Sequence, residues 1–244
     1  MYLLKKHENF LFISPYKGMN KTLHLLLSLP LIFTTLNLSA QTKIRYAAIG
    51  DSYTIGEGVN ENERWPNLLV EHLNEENIHL EIVCNPSVTG WTTQQVIDNE
   101  LPVYRDAKPD FATLLIGVND WVQDVTQEKF RENLRFIISE MQKELNNKQH
   151  LLLVTIPDFS ATPEGPKYSR GRDITKGLAE FNEIIKQEAA AKDLLVADIF
   201  EISQQVKGDA TLVASDGLHP SGKEYAEWEK IIFPLAKKIL TSAQ

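Results

Sequence analysis

Two short stretches hold residue types that together support nucleophilic catalysis: Gly50-Asp51-Ser52 and Asp216-Gly217-Leu218-His219. A free serine is a poor nucleophile. It needs a base within hydrogen-bond reach, and the base needs a third group to orient it. Ser52 follows an apolar run ending at Ile49 and opens a loop with two more glycines, Gly56 and Gly58. A serine on a sharp turn after a strand stands at the carboxyl end of a sheet, where open α/β sheets bind ligands. His219 is the candidate base. Asp216 lies three residues before it. In a loop that turns into a helix, this spacing brings the carboxylate to the distal side of the imidazole, where it fixes the tautomer and stabilises the imidazolium. Taken alone, D-x-x-H also reads as a helix-start turn with an exposed histidine. His24, His72, His79 and His150 have no acidic residue at useful spacing in a loop that follows a strand.

Acyl transfer also needs donors aimed at the developing oxyanion. Three candidates follow three different strands: the backbone N–H of Ser52, the N–H of Gly90 in Val88-Thr89-Gly90-Trp91, and the side-chain amide of Asn119 in Gly117-Val118-Asn119-Asp120. Singly, Gly90 reads as a turn glycine and Asn119-Asp120 as a turn pair. Together they fall at one end of the same sheet in a consistent order. Asp51 adjoins Ser52 but reads as structural, holding the turn. Trp91 and Trp121 follow oxyanion candidates and read either as walls of an acyl pocket or as core. Arg170 and Arg172 sit in a long loop and read as a solvated face more readily than as an anion site.

The elements that must position these residues alternate along the chain. Strands are predicted over 43–49, 79–84, 111–116, 151–156 and 194–199, and helices over 64–76, 94–100, 126–145, 174–192 and 221–240. Phe111-Ala112-Thr113-Leu114-Leu115-Ile116 is continuously apolar, as expected of a central strand covered on both faces. Thr126 is the expected cap of the third helix, Ser221 with Glu224 a capping box, and Pro234 a kink in the last helix. Residues 157–173 form a long loop with three prolines and two glycines, a length that points to a lid or binding loop. Alternating strands and helices imply a mainly parallel sheet with helices on both faces.

Composition bounds the rest. With 43% hydrophobic and 24% charged residues in 244, the chain is globular. Residues 23–38 form an apolar run between Lys21 and the small-residue pattern Leu38-Ser39-Ala40, as in a signal peptide. The expectation is cleavage after Ala40, translation starting at Met19, and one domain over 41–244. Pro30, Thr34, Thr35 and Asn37 speak against a stable membrane span. Residues 1–40 carry four lysines and one glutamate, +3 of the chain's −8, so the remainder carries −11. That charge disfavours nucleic acid and anionic membranes as partners. Cys84, the single cysteine, lies in an apolar run and reads as a small buried hydrophobe.

Gly50-Asp51-Ser52, Gly90, Gly117-x-Asn119-Asp120 and Asp216-x-x-His219 resemble the four signature blocks of the SGNH (GDSL) hydrolases. The flanks 50–58, 63–69, 85–93 and 216–225 are similar to those of secreted bacterial members, lysophospholipase-like ones included, and the resemblance spans 43–240. Tyr53 stands where the family's name expects leucine. The resemblance implies a three-layer α/β/α, flavodoxin-like fold with a mainly parallel five-stranded sheet. It implies Ser52, Asp216 and His219 as the triad, Ser52, Gly90 and Asn119 as the oxyanion hole, and neither metal nor organic cofactor. The expected substrates are small or short-acyl esters, O-acetyl groups on carbohydrates among them. Lysophospholipid or thioester substrates with longer chains, and a non-catalytic glycan-binding module, are the alternatives. A histidine base must be neutral to act. Ester hydrolysis is therefore expected to fall as pH drops below about 6–7, and a rate that stays flat down to about pH 4 would exclude His219 as the base.

Overall fold

The computed structural model describes residues 43–242. The expected signal segment and the Met19 start lie outside these residues. The elements are β1 (Ile44–Gly50), α1 (Ser52–Ile55), α2 (Trp65–Glu75), β2 (Leu80–Cys84), α3 (Thr93–Gln95), a π-helical turn (Val96–Glu100), α4 (Leu101–Ala107), β3 (Phe111–Leu115), α5 (Val118–Val122), α6 (Gln127–Glu144), β4 (Leu151–Val154), α7 (Ile174–Ala190), β5 (Val196–Ala197), α8 (Phe200–Ser203) and α9 (Gly222–Thr241). The five strands form one sheet in the order β2-β1-β3-β4-β5, every pair parallel. This is the three-layer α/β/α arrangement.

Strand order and handedness together place the helices. The chain steps from β1 outward to β2, then returns past β1 to β3 and continues to β4 and β5. Crossovers between parallel strands are right-handed, so α2 lies on one face and α4, α6 and α7 on the other. α9 packs on α2, and α6 contacts both α4 and α7. β1 and β3 leave their neighbouring carboxyl ends toward opposite faces, which opens a crevice there. Ser52 follows β1 and Asn119 lies just beyond β3. The central strands are buried on both sides: Tyr46 to Ile49, Phe111 to Leu115 and Leu151 to Val154 are almost without exposure.

Several predicted boundaries moved, each for a local reason. β5 spans two residues instead of 194–199. Beyond Ala197 the Thr155 side chain replaces the neighbouring backbone: its Oγ1 accepts from the Ile199 N–H at 2.9 Å and donates to Asp198 at 3.1 Å. The short helix expected over 94–100 starts from the Thr92 cap and continues to Ala107 through a π-helical turn. Residues 52–55 and 118–122, read as loop, are one-turn helices. Ser221 caps α9 by accepting from the Glu224 N–H, but the reciprocal half of the box is missing because the Ser221 N–H donates to Leu212 O at 2.8 Å. α9 runs unbroken through Pro234.

Asn182 on α7 fastens the end of β4. Its Oδ1 accepts from the Ile156 N–H at 2.7 Å and its Nδ2 donates to the Ile156 carbonyl at 2.8 Å, all of it buried. The amide thus pairs with the chain as a neighbouring strand would, where residues 157–173 begin. Asn182→Ala leaves two buried backbone groups without partners, at about 1–3 kcal/mol each. Denaturant unfolding should show a loss of about 2–6 kcal/mol; a loss below about 1 kcal/mol would mean that water replaces the amide.

Candidate active site

Ser52 is placed by the abruptness of the turn after β1. Asp51 caps α1, its Oδ1 accepting from the Tyr53 N–H at 3.1 Å. Gly56 closes the single turn in the left-handed region, φ 74°, donating its N–H to Ser52 O at 3.1 Å. The remaining carbonyls are taken by side chains from elsewhere. Trp65 Nε1 donates to Tyr53 O at 2.9 Å, and Asn85 Nδ2 to Thr54 O at 3.1 Å. Ser52 is 5% exposed, at the floor of a cleft. Asp51 is fully buried, so its role is structural, as the sequence suggested, and burial pushes its carboxyl up to about 8.

The Asp216-x-x-His219 segment folds into a turn that is built around its own carboxylate. Asp216 Oδ1 accepts from the N–H groups of Leu218 at 2.9 Å and His219 at 3.0 Å, while Oδ2 lies 2.7 Å from His219 Nδ1. Gly217 supplies the positive φ, 75°, that the turn requires. An Nδ1–H donated to Asp216 leaves Nε2 as the free acceptor. Burial tends to raise the Asp216 carboxyl, but the Leu218 and His219 donors outweigh it and hold it below the usual range. The segment is closed by Ala214 N–H donating to His219 O at 2.8 Å and rests against Gly58. At Gly58 a side chain would meet Ala214 Cβ at 2.8 Å. The Tyr53 ring meets the imidazole edge-on, centroids 5.9 Å apart.

The third arm comes from α5. Asn119 Nδ2 donates to Trp91 O at 3.0 Å, and Gln123 Nε2, one turn on, donates to Gly90 O at 3.0 Å. Two amides of one short helix therefore hold consecutive carbonyls of the loop that carries Gly90. One N–H of Asn119 remains. Between them Asp120 accepts from Thr93 N at 2.9 Å and Thr93 Oγ1 at 2.5 Å, locking α5 to the start of α3. Gly90 has φ 86° and nothing within 4 Å of where a side chain would begin.

Ser52, His219 and Asn119 face one cleft of about 50 Å³, walled by Tyr53, Val118, Val122, Phe159, Tyr168 and Leu218. Gly90, Trp91 and Trp121 are not part of its wall. Trp121 is buried behind it, edge-on to Phe159 at 6.2 Å, with the Arg172 guanidinium 4.0 Å over its ring. Trp91 contributes its carbonyl. The wall residues Phe159 and Tyr168 escaped the sequence reading because the 157–173 loop is polar on average. Their aromatic character within it was the available signal. Arg170 and Arg172 both pair with Asp124, at 2.8 and 2.6 Å. A wider groove along α6, about 870 Å³, contains no histidine and no cysteine.

The profile of the GDSL-like lipase/acylhydrolase family matches residues 48–226. The chain belongs to this family. It is accordingly a carboxylic ester hydrolase. No curated protein resembles the sequence closely enough to count as a relative. Among solved structures, a family 3 carbohydrate esterase of Clostridium thermocellum is 22% identical, covering 82% of this chain and 98% of its own at a TM-score of 0.65. A lipase/acylhydrolase from Enterococcus faecalis is 24% identical over 82% and 99%, at 0.63. Axe2, an acetylxylan esterase from Geobacillus stearothermophilus, is 18% identical over 82% and 95%, at 0.59. At these identities the likeness is one of fold, and it is the flavodoxin-like fold of this hydrolase family.

Asn119→Ala removes the amide and leaves the Trp91 carbonyl without its donor. Steady-state kinetics on p-nitrophenyl acetate should show kcat lower by about 10²–10³ with little change in KM; an unchanged kcat would remove Asn119 from the chemistry.

Proposed function

We propose that the protein hydrolyses small, short-acyl esters through an acyl-enzyme on Ser52, with O-acetylated carbohydrate as the natural class. His219 Nε2 takes the Ser52 proton as Oγ attacks the ester carbonyl. Asp216, already bonded to Nδ1, stabilises the imidazolium. The oxyanion is met by the N–H groups of Ser52 and Gly90 and by the remaining N–H of Asn119. His219 then gives its proton to the leaving alcohol, and water repeats the sequence on the acyl-enzyme.

The size of the cleft carries the choice of acyl group. Its volume of about 50 Å³ is far below the roughly 300–1,000 Å³ of pockets that enclose larger ligands. A small acyl group suits such a cleft better than a long chain, which needs a deep apolar channel. Phe159, Val122 and Tyr168 contribute apolar surface to its wall. The names of the structural neighbours, a carbohydrate esterase and an acetylxylan esterase among them, favour acetylated sugar as the alcohol part. The expected signal segment belongs to the same reading, since such substrates lie outside the cell. Among the described residues no helix is long and apolar enough to cross a membrane.

An acyl series from p-nitrophenyl acetate to palmitate, with acetylated xylan alongside, tests the substrate. A channel for long chains gains about 0.8 kcal/mol per buried CH₂, so kcat/KM would climb beyond about eight carbons. The expected outcome is a maximum at acetyl to butyryl with activity on xylan acetate. A maximum at long chains would overturn the short-acyl reading. Ser52→Ala should lose about 10⁴-fold or more in kcat on every ester; a variant as active as the parent would end the acyl-enzyme reading.

A further inference from the structure

Beneath the Ser52 turn lies a buried acid that the mechanism above does not use. Glu100 is fully buried, and its Oε2 accepts from the Gly50 N–H at 3.1 Å. Gly50 is the last residue of β1, immediately before Asp51 and Ser52. The carboxyl therefore bonds the chain at the point where it leaves the sheet for the nucleophile turn.

Glu100 arrives there through an irregular helix. Val96 to Glu100 form a π-helical turn, in which the Leu101 N–H donates to Val96 O, five residues back. Pro102 follows, and its missing N–H removes a bond that would draw the turn into a regular helix. The extra residue allows Val96 and Glu100, and then Leu101 and Tyr104, all to be buried. Such turns cost regular hydrogen bonding and recur at functional sites. Here the product of the turn is a carboxyl delivered to the Gly50 peptide.

We propose that Glu100 is a positioning residue for ester hydrolysis: its carboxyl, brought in by the π-helical turn, fixes the Gly50 peptide and thereby the angle at which Ser52 meets the cleft.

Three buried oxygens in this region lack a hydrogen-bond partner: Glu100 Oε1, Asp51 Oδ2 and Thr54 Oγ1. Two ionised carboxylates would add acceptors only, whereas a neutral carboxyl supplies a donor. Neither carboxyl takes part in an ion pair with a described lysine, arginine or histidine. The titratable groups that bear on them are Cys84 on β2, Asp120 on α5, Tyr53 on α1 and Tyr225 on α9, with Arg45 on β1 bearing on Cys84. Burial raises both carboxyls to about 8, which favours the neutral form of each near pH 7. Ionisation above that pH puts a negative charge under the turn and loosens it.

The test compares Glu100→Gln and Glu100→Ala in the full chain, with p-nitrophenyl acetate kinetics across pH and circular dichroism to confirm folding. Gln keeps both an acceptor for Gly50 and a donor. It should retain kcat within about threefold, and its alkaline limb should move to higher pH than the parent's. Ala should lower kcat by about 10–100-fold with KM within about twofold. A folded Ala variant with parental kcat, or a folded Gln variant as impaired as Ala, would overturn the proposal. If Ala fails to fold, the Gln profile decides alone, and an alkaline limb unmoved from the parent's overturns it. The proposal rests on Ser52 as the nucleophile. Loss of all activity in Ser52→Ala tests that separately, so the two failures are distinguishable.

Discussion

Asp51 is a buried carboxyl without a cation, and it sits where β1 turns into α1. The chain must pass there from a fully buried strand to a single helical turn within two residues, with no water to receive its polar groups. Buried backbone N–H and C=O groups need partners, so each must be found in the protein. Glu100 takes the Gly50 N–H, Asp51 the Tyr53 N–H, Trp65 the Tyr53 carbonyl and Asn85 the Thr54 carbonyl. These four partners come from the turn itself, from the start of α2, from the loop after β2, and from the π-helical turn. The Ser52 turn is thus bonded to several segments at once, and its stiffness is a property of all of them.

The same economy holds at the other two arms of the site. The Asp216 carboxylate builds the backbone turn with one oxygen and orients the imidazole with the other. On α5, Asn119 and Gln123 each hold a carbonyl of the Gly90 loop, while Asp120 between them points inward to Thr93. The 157–173 loop links these arms. Its Glu164 N–H donates to Gly217 O at 2.9 Å, and Arg172 donates to the carbonyl of Trp121 at 2.8 Å. The loop that narrows the cleft is therefore fastened both to the 216–219 turn and to α5. A change of acyl specificity by loop replacement has to respect both attachments.

Much of this was legible in the residues. Five apolar runs alternating with helical stripes imposed a parallel sheet, because each strand had to be covered on both faces. Ser52, Asn119 and His219, which line one cleft, could be picked out because turn residues and reactive groups coincide at strand ends. What stayed hidden were partners that lie far along the chain. Glu100 stands at the end of the short helix expected over 94–100; nothing local announces the π-helical turn that buries it. Trp91 and Trp121, each following an oxyanion candidate, read equally as pocket walls or as core. The fold turns Trp121 behind Phe159 and uses only the carbonyl of Trp91.

For Gly50-Asp51-Ser52, then, the sequence by itself determined the kind of chemistry and the end of the sheet at which it happens. Those follow from residue type and from short spacings, which act through the backbone over three or four residues. The tertiary structure alone decided how large a substrate fits and what holds the turn. The cleft wall is assembled from α1, α5, the 157–173 loop and the 216–219 turn, and its width depends on how those segments pack. The support under Ser52 depends on a side chain that is 48 residues away and on its loss of water when buried. Neither packing nor desolvation has a local signature in sequence.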